Sequence, residues 1–391
     1  MYVLLQKNMR YLWIHIKTIL STCNGSVPLA HFLKNYCKQH PKLGSRDRKM
    51  LSAVLYSWYR CEKGIYYTTN DAQHNNYVLE NKVKYCLALC NALTAQFEKL
   101  FADIPALPFE LVFELDKLTS NDIALSAGIS RTEWIGAMLS QPKLFIRVRK
   151  NQKQLEALLT THNIPYETIT DNCIALPNGA AIDTILPPQW YVVQDASSQA
   201  TGAYFQPKQG EHWYDCCAGA GGKSLLLMDS GVKMQLTVSD RRASILSNLK
   251  ERFKTYGLTP PTAIVTDVAD AAAVAARTGK ELYDNIICDA PCSGSGTWAR
   301  TPEQLYFWQP DKVHEFATLQ LAIATNASKL LRPGGRLLYI TCSVYEPENE
   351  GVVNALIAAT GMRVLTQTLI NGTALKADSM YVAVLQKEQY I

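Results

Sequence analysis

Two cysteines that each follow a strand-like run are the residues of this sequence best suited to chemistry. Cys292 lies in the segment DAPCSG (289–294), and Cys342 lies in the segment TCS (341–343), fifty residues further on. Taken singly, each is most simply explained as a buried core cysteine. Ligands of an open α/β sheet bind beyond the carboxyl ends of its strands. If the two strands are neighbours, both thiols therefore belong to one reactive site.

A glycine-rich turn precedes them at residues 217–223 (CAGAGGK), between a strand-like run and an apolar helical run. Glycines let the backbone turn sharply and approach a ligand closely. Asp240 lies 21 residues beyond Gly219, at the end of the next expected strand, where a carboxylate accepts hydrogen bonds from ribose hydroxyls. Asp267 ends the third strand, within reach of an adenine amino group. This arrangement favours a nucleoside ligand over a turn that only joins strand to helix.

A phosphate-binding loop is the competing interpretation of the same turn. Residues 221–224 (GGKS) resemble the end of the pattern G-x-x-x-x-G-K-[ST], and the apolar run that ends in Asp289 imitates a Mg²⁺-holding strand. The first glycine of that pattern falls at Cys217. Because the pattern is broken where the backbone must approach a phosphate, the nucleotide triphosphatase hypothesis is the weaker one.

A thiol beside a nucleoside cofactor suggests methyl transfer to a pyrimidine. Carbon 5 of the ring is a poor nucleophile, but a thiolate that adds to carbon 6 makes carbon 5 enamine-like and able to take an electrophilic methyl group. A general base must then remove the carbon 5 proton so that the thiol can leave. An acid near the ring nitrogen, such as Asp289, would stabilise the adduct. These residues alone do not rank Cys292 and Cys342.

The elements that must position these residues alternate between strand and helix from residue 210 onward, which predicts an α/β fold with a doubly wound parallel sheet. The expected strands cover 212–216, 235–239, 263–266, 284–288 and 336–341, followed by a hairpin near 363–386. The expected helices include 241–256 and 311–331, and a turn at 333–335 (PGG) leads from the second helix into the strand before Cys342.

The remainder of the chain differs in character and gives three expected domains. Residues 1–130 show helical apolar spacing, for example at Leu51, Val54, Leu55 and Trp58. Residues 131–205 alternate between short strands and one helix, which predicts a small α+β module. Residues 206–391 form the doubly wound domain.

Charge and composition restrict the function further. The chain of 391 residues has a formal net charge of +5, and Lys and Arg outnumber Asp and Glu in the first 150 residues but not in the remainder. The basic part is expected to meet a polyanion, although an unevenly charged solvated surface is the alternative. Eleven cysteines without zinc-type spacing predict a reducing compartment and no metal.

No membrane association is expected, because no run reaches the roughly 18 apolar residues that a spanning helix needs. Lys7, Arg10 and Lys17 interrupt the N-terminal apolar residues, so we expect no secretory leader. The predicted location is the cytoplasm.

These segments together resemble the Nop/Sun/Fmu family of S-adenosylmethionine-dependent RNA cytosine-5 methyltransferases, most closely its bacterial 16S ribosomal RNA members. Both cysteine segments, the glycine turn and residues 194–199 (QDASSQ) match the family's motifs, although the family has Ala-Pro where this chain has Gly219-Ala220. Residues 43–48 (LGSRDR) resemble its N-terminal domain, and residues 146–148 (IRV) resemble its RNA-contacting segment. The resemblance implies a Rossmann-like class I methyltransferase domain, preceded by an all-α NusB-like RNA-binding domain and a small α+β module.

The resemblance also implies roles for single residues. Cys342 would attack carbon 6, Cys292 would assist release of the methylated RNA, and Asp289 would touch both the cofactor and the target base. The implied cofactor is S-adenosyl-L-methionine, and the residues expected to bind it are Cys217, Ala218, Gly219, Ala220, Gly221, Gly222, Lys223, Asp240, Asp267 and Asp289. The implied partner is RNA, in particular ribosomal RNA, and the protein is expected to bind it as a monomer.

A ribosome-assembly factor that binds RNA with dispensable catalysis is the alternative function. The two cysteines argue against it, because a binding module needs neither. Neighbouring thiols at one sheet edge would also be prone to oxidise to a disulfide, depending on their separation.

Overall fold

Helices and strands alternate along most of the chain in the computed structural model, which describes residues 2–67, 77–119, 122–277 and 282–389. The helices are α1 (Tyr2–Thr22), α2 (Leu29–Gln39), α3 (Ser45–Cys61), α4 (Val78–Leu89), α5 (Ala95–Phe101), α6 (Arg131–Met138), α7 (Gln152–Thr161), α8 (Ala196–Ala200), α9 (Gly222–Met228), α10 (Ala243–Thr255), α11 (Ala271–Ala275), α12 (Pro302–Phe307), α13 (Lys312–Ser328) and α14 (Glu350–Thr360). The strands are β1 (Ile65–Tyr67), β2 (Leu111–Phe113), β3 (Leu144–Val148), β4 (Glu167–Thr170), β5 (Cys173–Leu176), β6 (Tyr191–Val193), β7 (His212–Asp215), β8 (Gln235–Asp240), β9 (Thr262–Val265), β10 (Tyr283–Asp289), β11 (Leu331–Thr341), β12 (Arg363–Ile370) and β13 (Met380–Gln386).

These elements fall into two compact units. The first comprises Met1–Asp122, Arg131–Gln141 and Trp298–Pro310, and the second comprises the remaining segments. The α+β module and the doubly wound sheet both lie in the second unit. The division into three domains at residues 130 and 205 stays a prediction. Among the described residues, no helix combines the length and the apolar character that crossing a bilayer requires.

The first unit is built around a core of helices. Leu51, Val54, Leu55 and Trp58, the residues that showed helical spacing, are all buried on α3. The unit is not helical throughout, because β1 pairs with β2 in an antiparallel ribbon. The ribbon runs from the pair Ile65–Phe113 to the pair Tyr67–Leu111. Both strands consist of β-branched and aromatic residues together with one leucine, which suit a pleated surface better than a helix. The likeness of the first unit to a NusB domain stays a prediction.

The sheet of the second unit has seven strands in the order β12-β13-β11-β10-β7-β8-β9. Strands β7 to β11 run parallel to one another, and β12 and β13 form the predicted antiparallel hairpin, whose second strand, β13, pairs antiparallel with β11. The chain leaves β7 toward β9 on one side and returns to β10 on the other. The carboxyl ends of β7 and β10 therefore flank the point where the strand order reverses, which is where ligands bind in such sheets. The predicted α/β fold class is confirmed.

The predicted turn at 333–335 is wrong in its position. Strand β11 already begins at Leu331, and the register slips between the pairs Tyr283–Leu331 and Asn285–Arg336. The extra residues form a bulge in which Gly334 has a left-handed φ of 79°. A bulge adds residues to one strand only, and this leaves the pairing of β11 with β10 intact towards Thr341.

A four-stranded antiparallel sheet, in the order β4-β5-β3-β6, forms the predicted α+β module. Two arginines of the module bind one carboxylate. Arg147 on β3 and Arg149 just after it reach the Asp229 carboxylate at 2.6 and 2.7 Å. The guanidinium of Arg149 also lies over the ring of Tyr256, 4.9 Å from its centroid. Asp229 follows α9, so these ion pairs fasten the module to the helical layer of the larger sheet.

Arg147 belongs to the segment that resembles an RNA-contacting element, but its position does not suit that role. The side chain is only 3% exposed, and its Nε donates to Gln194 Oε1 at 2.9 Å. Burial lowers the pKa of Arg147, and the charge of Asp229 opposes this effect. The side chain is therefore used for structure, and contact between the module and RNA stays a prediction.

Replacing Asp229 with Ala is expected to destabilise the second unit strongly. Two guanidinium groups would face each other, one of them buried, without the carboxylate that compensates both. Breaking a buried pair in this way costs about 3–5 kcal/mol. The free energy of unfolding, measured by urea denaturation, should fall by that amount. Glu251→Ala is the matched control, because its ion pair with Lys254 is exposed and should contribute less than about 1 kcal/mol. Equal effects of the two substitutions would contradict this account.

Candidate active site

The glycine turn after β7 contains two glycines with different tasks. Gly219 and Gly221 both have left-handed φ angles, of 51° and 82°. A Cβ on Gly219 would meet no atom within 4 Å, whereas a Cβ on Gly221 would lie 2.8 Å from the Leu249 side chain. Gly221 therefore allows α9 to pack against α10, and Gly219 leaves free space in which a ligand can approach the backbone.

Asp215, the last residue of β7, supports this turn from below. Its side chain is fully buried, and its Oδ2 accepts a hydrogen bond from Ser224 Oγ at 2.6 Å. The bond ties the end of β7 to α9 across the turn. Burial raises the pKa of Asp215 to about 7, although the hydrogen bond from Ser224 opposes the rise.

Asp240, the last residue of β8, lies beside the turn as the sequence predicts. Its Oδ2 accepts a hydrogen bond from the Gly219 N–H at 3.2 Å. Arg242 donates to Oδ1 from both its backbone N–H and its Nε, at 2.9 and 3.0 Å, and from Nη2 to Oδ2 at 3.3 Å. Burial would raise the pKa of Asp240, but the charge and hydrogen bonds of Arg242 lower it below its ordinary value. The whole carboxylate is thus occupied by groups of this chain.

These residues border a cavity of about 300 Å³ at the carboxyl ends of β7, β8 and β10. Five of the residues predicted to bind a cofactor line it, namely Cys217, Gly219, Asp240, Asp267 and Asp289. The other five do not line it: Ala218, Ala220, Gly221, Gly222 and Lys223. These five residues lie in the turn and the start of α9 but do not border the cavity, and the side chain of Lys223 contacts Asp289 and Ser198.

One wall of the cavity was not predicted. Phe316, Leu319 and Ile323 of α13 form an apolar side opposite the acidic strand ends. Their spacing of three and four residues places them on one helix face. The same spacing is typical of a helix face that packs on a core, so the sequence could not tell which face borders a ligand. Thr266 and Val268, on either side of Asp267, also line the cavity.

Lys223 forms a buried ion pair with the carboxylate at the end of β10. Its Nζ lies 3.2 Å from Asp289 Oδ2 and 3.1 Å from Ser198 Oγ, while the Asp289 side chain is one-third exposed. Ser198 belongs to the segment 194–199 that resembled a family motif. Lys223, which was predicted to bind a cofactor, holds Asp289 at the edge of the cavity. The Lys223 ammonium group is buried, whereas the Asp289 carboxylate is open to a ligand.

The two cysteines lie next to each other, as their predicted strand ends require. Because β10 and β11 are parallel neighbours, Cys292 and Cys342 follow them at the same edge, and their Sγ atoms are 3.3 Å apart. Both are free thiols and half-buried. The hydrogen bond with Cys342, burial and the nearby Glu348 carboxylate together raise the pKa of Cys292 well above that of an ordinary thiol. Two thiols in contact, beside a carboxylate at a cavity edge, can act on one electrophilic carbon.

The sequence that carries this site is similar to known proteins. A family model described as 16S rRNA methyltransferase RsmB/F matches residues 203–387. Ribosomal RNA small subunit methyltransferase B of Enterobacter sp. (strain 638) is 29% identical over 236 residues, which cover 58% of this chain and 54% of that protein. The matched segment thus spans about half the length of this curated relative.

Solved structures agree on the fold. The crystal structure of PH0851 has a TM-score of 0.69 and 20% identity, covering 90% of this chain and 93% of that one. NSun6 from Pyrococcus horikoshii, solved with SFG, has a TM-score of 0.56 and 15% identity, covering 66% of this chain and 94% of that one. The Rossmann-like architecture and the resemblance to the bacterial 16S members of the Nop/Sun/Fmu family are therefore confirmed. The family model of the RsmB/F 16S rRNA methyltransferases matches the segment at residues 203–387, which carries the sheet, the cavity and both thiols.

Proposed function

We propose that this chain is an S-adenosylmethionine-dependent RNA cytosine-5 methyltransferase that acts on ribosomal RNA, in particular 16S ribosomal RNA. The observation that carries the proposal is the contact between Cys292 and Cys342, 3.3 Å apart, in which Cys292 directly follows Pro291 of the cavity lining. Cytosine-5 methylation needs one thiol to form a covalent bond with the base and a further group to help break it. Transfer of a methyl group to a ring nitrogen or a ribose oxygen would need neither thiol.

The cavity residues fit S-adenosylmethionine. Asp267 offers a carboxylate to an adenine amino group, Asp240 would offer one to ribose hydroxyls once its exposed partner Arg242 moves aside, and the apolar face of α13 suits the adenine ring. The free space beside Gly219 admits a ligand to the backbone. SFG, the ligand of the Pyrococcus horikoshii neighbour, is an analogue of this cofactor. Bound there, S-adenosylmethionine would supply an electrophilic methyl group.

The side chains at the edge of the cavity would then perform the work on the base. Cys342, as a thiolate, would add to carbon 6 of the cytosine and make carbon 5 nucleophilic. Asp289 would hydrogen-bond the ring-nitrogen edge, and its partner Lys223 would stabilise the carboxylate and supply a proton to the pair. Cys292, as the neutral thiol, would assist the final elimination by donating a proton to the departing Cys342 sulfur as its bond to carbon 6 breaks, while a base such as water takes up the carbon 5 proton.

The substrate is inferred from the relatives and from charge. The matched family and the Enterobacter relative are named for ribosomal RNA of the small subunit. The excess of Lys and Arg in the first 150 residues suits a polyanion. A base that reacts with Cys342 has to leave its stack, which single-stranded or loop nucleotides do most readily. We propose that the chain acts on such a cytosine as a monomer.

Methyl transfer to ribosomal RNA tests the proposal directly. Purified protein, labelled S-adenosylmethionine and 16S ribosomal RNA without modifications should yield 5-methylcytosine, located by bisulfite sequencing. A folded protein that transfers no methyl group to any unmodified RNA would refute it. Rescue of a deletion strain by the Cys342→Ala protein would instead favour an assembly factor with dispensable catalysis.

Single replacements of the two thiols should give different products. Cys342→Ala removes the proposed nucleophile, so turnover should fall to background and no covalent RNA complex should form. Cys292→Ala leaves the nucleophile in place but impairs release, so protein linked to RNA should survive denaturing electrophoresis in the presence of the cofactor. The reverse pattern would exchange the two roles.

Replacing Arg242 with Ala is expected to strengthen cofactor binding. Arg242 occupies the Asp240 oxygens that ribose hydroxyls would need, and its side chain is 59% exposed. An exposed pair is worth roughly 0.2–1 kcal/mol, so the cofactor Kd, measured by calorimetry, should fall by about 1.4- to fivefold. Arg241→Ala is the control, since Arg241 also lines the cavity and loses the same charge. A twofold or larger gain shared by both variants would show that net charge, not release of Asp240, is the cause.

A further inference from the structure

Each of the two thiols is followed by a serine, and both serines bind the same buried carboxylate. Ser293 Oγ and Ser343 Oγ each donate to Glu348 Oε2 at 2.5 Å. Glu348 has no exposed surface. The repeated Cys-Ser pair of the two segments is therefore explained by a shared partner, which joins the loop after β10 to the loop after β11.

The other carboxylate oxygen is held just as closely. Glu348 Oε1 accepts hydrogen bonds from the Ser293 N–H at 2.8 Å and from Gln320 Nε2 at 3.1 Å. Gln320 Nε2 also donates to the carbonyl oxygen of Pro291 at 2.9 Å, immediately before Cys292. The Tyr339 hydroxyl donates to the backbone carbonyl of Glu348 at 2.6 Å. Residues on both sides of Cys292 are thus bound within this one network.

The hydroxyl protons of the network are accounted for when Glu348 is ionised. Ser343 Oγ accepts from the Tyr345 N–H, and Ser295 Oγ accepts from the Val344 N–H, so each hydroxyl has its own proton left to donate. Ser293 and Ser343 donate theirs to Glu348, and Ser295 can donate to Ser343 Oγ, 3.1 Å away. Burial raises the pKa of Glu348, and the hydrogen bonds from Ser293 and Ser343 oppose the rise. Four donors around an acceptor-only carboxylate favour the charged form.

The Glu348 carboxylate contacts the loops of the two thiols differently. It accepts from the backbone N–H next to Cys292, whereas the corresponding Ser343 N–H donates to Thr341 Oγ1 at 3.2 Å. Negative charge is therefore bound directly to the loop of Cys292 and only through a hydroxyl to the loop of Cys342. Two thiols 3.3 Å apart do not both ionise readily. The groups facing Cys292 are Cys342, Glu348 and Tyr339, and of these only the Glu348 carboxylate accepts a hydrogen bond from the backbone next to Cys292.

We propose that Glu348 is a positioning residue of the two-thiol site, which keeps Cys292 and Cys342 in contact and holds a carboxylate against the loop of Cys292, where it opposes formation of the thiolate. The assignment of Cys342 as nucleophile rests on the proposed function. The spacing of the thiols and the effect of Glu348 on Cys292 do not, and both are measurable without RNA.

The effect of Glu348 on the Cys292 thiol is tested by alkylating the full chain with iodoacetamide between pH 6 and 10. The alkylation rate of each cysteine is measured by peptide mass spectrometry. In a Cys342→Ala background, Glu348→Gln should increase the rate at Cys292 at pH 7 by about tenfold, the effect of one pKa unit. In a Cys292→Ala background, the same change should alter the rate at Cys342 by less than about twofold. Equal effects at the two thiols, or no effect at Cys292, would overturn the proposal.

The spacing of the thiols is tested with phenylarsine oxide, which bridges two thiols held in contact. Gln can keep most of the hydrogen bonds of Glu348 and Ala cannot, so Glu348→Gln should bind the arsenical at this site as the unchanged protein does. Glu348→Ala should bind it at least tenfold more weakly, with the Cys342→Ala protein as the baseline for other cysteines. If Glu348→Ala does not fold, Ser343→Ala, which removes one contact, should give a smaller loss. Unchanged binding in every folded variant would refute the positioning role.

The outcomes separate this inference from the proposed function. If alkylation and arsenical binding change as expected but the unchanged protein methylates no RNA, Glu348 still governs the thiols and the proposed reaction is wrong. If methylation occurs while Glu348→Gln leaves the alkylation rate of Cys292 unchanged, the enzyme stands and the role of Glu348 is wrong.

Discussion

The parallel pairing of β10 with β11 is the interaction on which the candidate site depends. Its register places Asp289 opposite Ile340, so both strands end at the same edge and the loops that follow them carry Cys292 and Cys342 into contact. Parallel strands cannot be joined by a tight turn and need a crossover. Here the crossover includes α13, whose apolar face forms one wall of the cavity. The connection that makes the pairing possible therefore also supplies part of the ligand site.

Buried charge is the second constraint, and the chain handles it differently at three positions. Asp289 is paired with Lys223, while the Glu348 carboxylate accepts four hydrogen bonds, all from neutral donors. Asp215 has one hydroxyl donor, and its pKa is raised to about 7. An isolated charge is costly to bury, so a group with few donors takes up a proton, whereas a group with many donors can stay ionised. The differences set where negative charge is available: at the cavity edge on Asp289 and behind the thiols on Glu348.

The sequence predicted the α/β fold and the strand ends that carry the candidate residues well, because both depend on local patterns. Strand ends follow from apolar runs, and the bend after β7 follows from its glycines. The same patterns cannot give contacts between distant side chains. Lys223 follows two glycines and was expected to meet a cofactor, but its length lets it reach Asp289 on a strand 66 residues away. Glu348 lies in a polar stretch that resembles any surface turn, and its burial depends on two loops and a helix that meet only in the folded chain.

A site that needs two thiols in contact is exposed to oxidation by its own geometry. Forming a disulfide takes one thiolate, one neighbouring sulfur and an oxidant that accepts two electrons. At 3.3 Å the two sulfurs need little movement to bond. Lowering the thiolate fraction of both residues would protect them but would also remove the proposed nucleophile. A charge that opposes the thiolate at Cys292 resolves only part of this conflict, because the sulfur of Cys292 stays within reach of Cys342. A two-thiol site therefore works only where no oxidant accepts the two electrons that a disulfide would release.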